Sequence, residues 1–446
     1  MIPRRGSALA IAAPLASCAA CFALAQACSL VNTFEDLAAP GDATAGDVVL
    51  EASADALGDS GPPVDAPPVE DAPDAPPKGV IVIGGTVAFE GGQQSVLTAL
   101  APENGKELPR AREPMNVTSA HYDGLRDLWY IFESGGEGFF PTPTDDVFLH
   151  VRRLDTYSGQ WTELQKLKVP PTVSFATTTV LRERLSYVAY RVTDGAVGFD
   201  YITLDTSKPA SLSIIDAHAL DKPPIGAIGT RSSTGVGGVI NLLHDGVCDA
   251  ATCLDVLHVT VPSSAPPTFT GTETVAQFVG SPGYGSYLAG GPSDVFVTRA
   301  STGITTATIA MFSPQSFPPQ QIAPSTTFGI LGPYIKPLAF AECQQQALIV
   351  ETNQDLALYS IPLVPNGTLS RISTQHSGQG VYFEPFTSTV LTPFSQGTNF
   401  ALTAFKLEGT TVAPKLVPRV TPAWSPPPEL RPNIVATRVP LPIVCN

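Results

Sequence analysis

Between residues 79 and 446 no stretch sustains the 3.6-residue periodicity of a helix. Short β-branched and aromatic runs take its place, each bounded by turn residues. Val80-Ile81-Val82-Ile83-Gly84-Gly85, Leu128-Trp129-Tyr130-Ile131-Phe132 and Tyr187-Val188-Ala189-Tyr190-Arg191-Val192 are three of them. Ala347-Leu348-Ile349-Val350 and Phe400-Ala401-Leu402-Thr403-Ala404-Phe405 repeat the theme. Asp194-Gly195, just after the third run, is a strong hairpin signal. The 368 residues from 79 to 446 are too many for one ordinary sandwich and suit a large closed β fold.

Stacking the runs exposes a weak repeat. Each unit reads as an apolar strand, a polar turn, a second strand and, after another turn, a third. Second strands set at Val96, Phe148, Tyr201, Leu254, Val295, Leu356 and Phe400 are separated by 52, 53, 53, 41, 61 and 44 residues. That is near the ~40–50 residues of a propeller blade, so the reading is an all-β propeller of about seven four-stranded blades. Loop insertions account for the uneven spacing. Two β-sandwich domains are the alternative.

Asp155-Thr156-Tyr157-Ser158-Gly159-Gln160-Trp161 resembles the kelch hairpin in its Asp, its Gly-bearing turn and its Trp. Gly84-Gly85 after a β run resembles the kelch double glycine. The other units lack both features, and Leu154 stands where kelch has Tyr. The resemblance implies a propeller fold and a packing role for Trp161, and it says nothing about function. A ring of blades also needs closure. The alternating segment Asn433 to Val439, after Pro426-Pro427-Pro428, is suited to pair with the sheet of Val80 to Ile83 and so remove two exposed edges.

The start of the chain has a different character. Arg4 and Arg5 precede an apolar run ending in Leu15-Ala16-Ser17-Cys18. A basic start, a short apolar core and small residues before a cysteine make an export signal. The pattern resembles the lipobox of bacterial lipoproteins, which implies that Cys18 is acylated and becomes the new N-terminus. Cys28 after Ala25-Gln26-Ala27 is the alternative, and the same triplet also suits plain secretion. A membrane-spanning helix fits less well, because the run is rich in Ala and contains Pro14. Neither cysteine is followed by Asp, the inner-membrane retention residue of Gram-negative lipoproteins, so the resemblance implies the outer membrane or cell surface.

Residues 1–28 thus read as the signal and lipobox region, 29–78 as a linker and 79–446 as the propeller domain. From Ser29 to Lys78 there are eleven acids and one base, Lys78, among repeated Pro and Ala. Such a segment cannot bury enough apolar area to offset its ordering entropy, so it reads as a disordered, semi-rigid spacer. The whole chain carries −15. Removing the spacer, Arg4 and Arg5 leaves 29 acids against 22 bases, or −7, for the folded part. No basic run is present, which argues against nucleic-acid binding.

Cys248 and Cys253 bracket four residues between two strand-like runs. In an exported protein they read as a hairpin disulfide. With His244 and His258 they also form His-x3-Cys-x4-Cys-x4-His, but this is no standard zinc spacing and an oxidising space disfavours free thiolates, so no metal is assigned. Cys343 and Cys445 are a second candidate pair. No Gly-x-Ser-x-Gly elbow occurs, since Gly283-Tyr284-Gly285-Ser286-Tyr287 ends in Tyr. There is no His-Glu-x-x-His and no P-loop. His121-Tyr122-Asp123 and His244-Asp245 put imidazole near carboxylate in sequence, and closeness along a strand is poor evidence for a working pair. Asp123, Asp127, Glu133, Glu137, Asp145 and Asp146 read as solvated loop charge more readily than as a calcium site.

The resulting expectation is a monomeric, lipid-anchored envelope or cell-surface protein that presents a propeller to a protein or glycan. It has no cofactor and no evident catalysis. Aromatic loop residues Phe139, Phe140, Tyr284 and Tyr287 are candidate contacts. The alternatives are an outer-membrane assembly scaffold and a propeller-fold carbohydrate-active enzyme.

Overall fold

The computed structural model describes residues 79–438, apart from 90–91, 137–140, 174–176, 182, 225, 232–237, 249–250, 264, 279–285, 291–295, 302–305, 314–319, 330–337, 342–345, 351–357, 363–369, 374–380, 397–398, 411–412 and 419–423. The described residues form β-strands and no α-helix. Among them the strands make seven antiparallel four-stranded sheets. The first sheet joins β1 (Ile81–Phe89), β2 (Gly92–Leu100) and β3 (Glu113–Pro114) to the last strand, β28 (Leu430–Thr437), in the order β28-β1-β2-β3.

The remaining sheets follow the chain. The second holds β4 (Val117–Asp123), β5 (Leu128–Ser134), β6 (Val147–Leu154) and β7 (Trp161–Val169), and the third β8 (Thr179–Leu181), β9 (Arg184–Thr193), β10 (Ala196–Asp205) and β11 (Ser213–Leu220). The fourth holds β12 (Gly226–Arg231), β13 (Gly238–Cys248), β14 (Ala251–Val261) and β15 (Thr268–Phe278), and the fifth β16 (Ser286–Gly290), β17 (Phe296–Ser301), β18 (Thr306–Ser313) and β19 (Gln320–Gly329). The sixth is β20 (Leu338–Ala341), β21 (Gln346–Val350), β22 (Leu358–Pro362) and β23 (Ser370–Ser373), and the seventh β24 (Tyr382–Glu384), β25 (Thr389–Gln396), β26 (Asn399–Thr410) and β27 (Ala413–Pro418).

The leading strands β28, β4, β8, β12, β16, β20 and β24 neighbour one another in that order, and β24 returns to β28. This cyclic order is a propeller arrangement. It replaces the alternative of two sandwiches, in which sheets would pack face to face in pairs. Strand β4 is buried along its whole length, whereas the fourth strand β7 exposes much of its surface. An inner strand has a sheet on either side, so both of its faces are covered.

Closure comes from the two ends of the described chain. Strand β28 pairs with β1 from Ile81↔Thr437 to Val87↔Leu430, with a register shift between Gly84 and Gly85. The double glycine is a requirement of this shift. A Cβ on Gly84 would lie 2.6 Å from Val117 Cβ of β4, and one on Gly85 would overlap the Arg431 carbonyl oxygen of β28. Only a residue without a side chain lets the closing strand approach at both positions.

The apolar cores lie between adjacent sheets. One unites Val82, Leu97 and Met115 of the first sheet region with Tyr122, Trp129 and Trp161 of the second. The rings of Trp129 and Trp161 meet edge to face at 6.4 Å, and Trp161 Nε1 donates to Ala111 O at 2.9 Å. Trp161 is therefore a packing residue. The turn before it is held by Asp155. Its carboxylate accepts from Tyr157 N at 2.9 Å and Ser158 Oγ at 2.6 Å, and Gly159 at φ 73° donates its N–H to Asp155 O.

The repeat differs from the sequence expectation in the strand that the marked positions occupy, which is the third of the sheet and not the second in six of the seven units. Val96, Phe148, Tyr201, Leu254 and Phe400 all fall in the third strand of a sheet, and Leu356 directly precedes one. Val295 precedes β17, which is a second strand. The third strand of that sheet starts at Thr306, 52 residues after Leu254 and 50 before Leu356. The spacing of 41 followed by 61 thus reflects one position marked at a second strand among six marked at third strands, and no insertion is needed to explain it.

Candidate functional site

Two inner strands end on a buried acid. Asp123 closes β4 and Glu384 closes β24, and each opens a four-residue turn, with Asp123 paired to Leu128 and Glu384 to Thr389. The two turns are built alike. Leu125 N donates to Asp123 Oδ1 at 3.1 Å, and Phe386 N to Glu384 Oε1 at 3.0 Å. The last turn residues, Asp127 and Ser388, have φ of 52° and 51°. An acid that accepts from the backbone two residues on is a turn-forming device.

Glu384 is fully buried. Its Oε2 also accepts from Thr387 N at 2.9 Å and Thr387 Oγ1 at 2.6 Å. Burial pushes its carboxyl up to about 7, with the Glu103 charge adding to the rise, against the hydrogen bonds from Thr387 and Phe386.

Three guanidiniums at this end tie the first four sheets together in series. Arg438, just after β28, donates to Tyr122 Oη at 3.0 Å and to Asp127 Oδ1 at 3.0 and 3.2 Å, which joins the first sheet to the second. Tyr122 Oη in turn donates to Asp127 Oδ1 at 2.7 Å. Arg126 pairs with Asp123 at 2.6 Å and donates to Thr206 Oγ1 at 2.8 Å and to Thr206 O, which joins the second sheet to the third. Arg184 pairs with Asp205 at 3.0 Å and reaches Ser263 O, which joins the third to the fourth.

A second charged group lies between the first two sheets, farther from the axis. His150 on β6 is buried and has a carboxylate at each nitrogen, Nδ1 to Glu163 Oε2 at 2.6 Å and Nε2 to Glu133 Oε2 at 2.9 Å. Lys166 Nζ adds to Glu133 at 3.0 Å, and Arg152 bridges Glu163 at 3.0 Å and Glu113 of β3. Burial acts to raise Glu133 and Glu163, but their hydrogen bonds outweigh it, from Lys166 and His150 for Glu133 and from His150 and Arg152 for Glu163. Both carboxyls sit below the usual range.

The acids singled out in the sequence are therefore distributed among separate partners. Asp123 serves Arg126, Asp127 serves Arg438, and Glu133 serves His150 and Lys166. Asp145 accepts from Thr142 N at 2.7 Å, and Asp146 pairs with Lys168 at 2.6 Å. Glu137 lies outside the described residues. Among the described residues no group of three or more His, Cys, Asp or Glu is disposed to hold a metal ion. His121 makes no bond to Asp123. His244 stands opposite Asp255, and His258 stands opposite Asn241 and bonds it at 3.1 Å. The hairpin register thus spreads the four members of the His/Cys pattern along two strands. Cys248 is opposite Ala251 and Cys253 opposite Gly246, which places the cysteines diagonally across the hairpin. Cys18, Cys28, Cys343, Cys445, Phe139, Phe140 and Tyr284 lie outside the described residues, and Tyr287 is placed in β16 by its backbone alone.

Sequence reasoning missed Arg126, Arg184, Arg438, Glu384 and the His150 group. The partners that join one sheet to another, such as Thr206 for Arg126, Ser263 for Arg184 and Asp127 for Arg438, are distant in the chain, so no local pattern marks them. The exception is the shared turn of Asp123 and Glu384, which alignment of the units on their inner strands would have revealed.

At the other end, hairpin tips project. Phe89, Val192 and Val197 are exposed, and Val192 is the direct cross-strand partner of Val197 around Asp194-Gly195. No protein-family description matches the chain. No curated protein sequence matches it either. Solved structures do match. A candidate 6-phosphogluconolactonase from Bacteroides fragilis superposes with a TM-score of 0.54 at 12% identity, covering 81% of this chain and 98% of its own. Another from Bacteroides uniformis gives 0.52 at 11%, covering 76% and 95%. At such identity the likeness speaks for the fold alone, and that fold is a β-propeller.

Proposed function

We propose that the protein is an exported, lipid-anchored binding protein of the outer membrane or cell surface. In this reading Cys18, or alternatively Cys28, carries the lipid, and residues 29–78 are the stalk. The sheets close as a seven-bladed ring that presents hairpin tips to a protein or glycan. Cys248 with Cys253, and Cys343 with Cys445, are the proposed disulfides. The first would draw two diagonal positions together, which stand farther apart than directly opposed ones.

The observation that carries the binding reading is the pair of projecting hairpins, whose tips hold Phe89, Val192 and Val197 in solvent. Apolar side chains held out on rigid elements supply contact area for recognition. The carboxylates at the opposite end support the same reading, since Asp123, Asp127 and Glu384 are bonded into turns and sheet junctions.

The test uses the protein purified from membranes in detergent, immobilised, and offered envelope proteins and a glycan panel. It is expected to retain a ligand that the Phe89→Ser, Val192→Ser, Val197→Ser triple variant does not retain. Saturable hydrolysis of a sugar lactone by the same preparation, with no retained ligand, would replace this reading with the enzymatic one that the names of the structural neighbours suggest.

A further inference from the structure

Between the second and third sheets the inner wall of the ring carries polar groups that the fold itself does not use. Ser119 and His121 lie two residues apart on β4, opposite Phe132 and Tyr130. Those two rings belong to the apolar cluster that also contains Val180, Leu185 and Tyr187 of the third sheet. Ser119 and His121 therefore face the third sheet. Thr178 directly precedes β8, and extending the alternation of that strand by one residue puts it on the side of Val180, toward β4. The two inner strands can be aligned on the turns that end them, Asp123↔Leu128 and Leu181↔Arg184. On that alignment Thr178 stands level with Ala120, between Ser119 and His121.

The relative exposures of Ser119, His121 and Thr178 are 0, 1 and 7%. Ser119 Oγ, both ring nitrogens of His121 and Thr178 Oγ1 have no hydrogen-bond partner among the described residues. The His121 ring meets the edge of Phe132 at 6.2 Å, an apolar contact. The adjacent Thr177 accepts instead from Val188 N within its own sheet, and Asp123 is bonded to Arg126. Buried polar atoms are nearly always satisfied in native proteins, by protein or by a bound molecule. Four unsatisfied buried atoms on two neighbouring sheets are left for a bound molecule to satisfy.

We propose that Ser119, His121 and Thr178 form a binding site in the ring wall for small neutral hydroxylated molecules, whether water or a polyol. The chemistry follows from the groups present. Each hydroxyl both donates and accepts, and a neutral imidazole offers one donor and one acceptor. A hydroxyl ligand matches this set. Burial lowers His121 to about 3, so the ring supplies no positive charge for an anion. The site is separate from the hairpin tips and does not depend on the export reading.

The test is thermal unfolding of the full chain with His121→Leu and Ser119→Ala, alongside a high-resolution crystal structure of the unaltered protein. Bound hydroxyl predicts a lower Tm for both variants and density within hydrogen-bonding distance of Ser119, His121 and Thr178. The two sources separate under added glycerol or glucose. A polyol site gives a saturable rise in Tm that the variants lack, whereas a water site gives the same response in all three proteins. A His121→Leu protein as stable as the parent or more so, with no density at these atoms, would overturn the proposal. The density reading stands even if a variant fails to fold.

Discussion

Arg438 donates to Asp127 Oδ1 through Nε and Nη2 at 3.2 and 3.0 Å, across 311 residues of sequence. The bond fastens the residue after the closing strand to the first turn of the second sheet. Arg438 N also donates to Val80 O at 3.0 Å, and Thr437 Oγ1 to Phe383 O at 2.8 Å. The closing strand is thus held by three sheets at once.

Arg438→Met is expected to cost about 2 kcal/mol, the value of charge-assisted hydrogen bonds partly open to solvent. Denaturant unfolding gives the loss, and hydrogen exchange should quicken first in β28 and β1. Asp127→Asn should cost less, because an amide oxygen still accepts. Uniform acceleration across all sheets would show that Arg438 does not act at the seam.

The seam also fixes its glycines. Gly85→Ala should destabilise by more than about 2 kcal/mol, because its methyl meets the rigid Arg431 backbone, and Gly84→Ala by less, because it meets the Val117 side chain. Gly195→Ala has nothing within 4 Å and carries only the strain of φ 80°, about 1 kcal/mol. The ranking of the three by urea midpoint is the check.

Trp161→Ala should cost about 3–5 kcal/mol, as expected for emptying a large aromatic site. Trp161→Phe should recover most of the packing but leave Ala111 O without its donor. Equal losses in the two variants would mean that the hydrogen bond, and not the ring volume, sets the cost.

Acid response has opposing parts. His121 and His244 are lowered to about 3 and about 4, both chiefly by burial. In the unfolded chain they take up protons below about 6.5, so their contribution to stability is lost as pH falls from there toward 4. Glu384 works the other way. Its folded value near 7 lies above the unfolded 4.5, so its contribution is full below 4.5 and is lost as pH rises to 7. Two histidines outweigh one carboxyl, and the protein should weaken as pH falls below 6.5. The Glu384 part is visible as a difference. Relative to the parent, Glu384→Gln should gain about 3 kcal/mol between pH 4.5 and pH 8. A difference that does not change with pH would remove the case for a raised Glu384. Below 4.5, Glu133 and Glu163 add a further loss, since their lowered carboxyls stabilise only when ionised.

Much of the fold was legible because strand signals are local. The Asp194-Gly195 hairpin, the packing role of Trp161 and the pairing of the segment from Asn433 with Val80 to Ile83 all follow from residue type and alternation. Second strands could not be told from third, because the two are equally apolar in a ring, where both are covered; six of the seven marked positions belong with third strands and Val295 with a second. The rim was not legible. Arg438 and Asp127, or His150 with Glu133 and Glu163, are ordinary surface residues in sequence, and only the closed sheets bring them together. His121 and Asp123 are close in sequence but serve different partners: Asp123 bonds Arg126, and His121 lies on the side of β4 that faces the third sheet.

Intact mass spectrometry of the native protein from the membrane fraction tests the central claim most directly. The expected mass begins at an acylated cysteine, Cys18 or Cys28, and rises on reduction by the protons of the opened disulfides. An unprocessed mass beginning at Met1, found in the soluble fraction with every thiol free, would contradict the account.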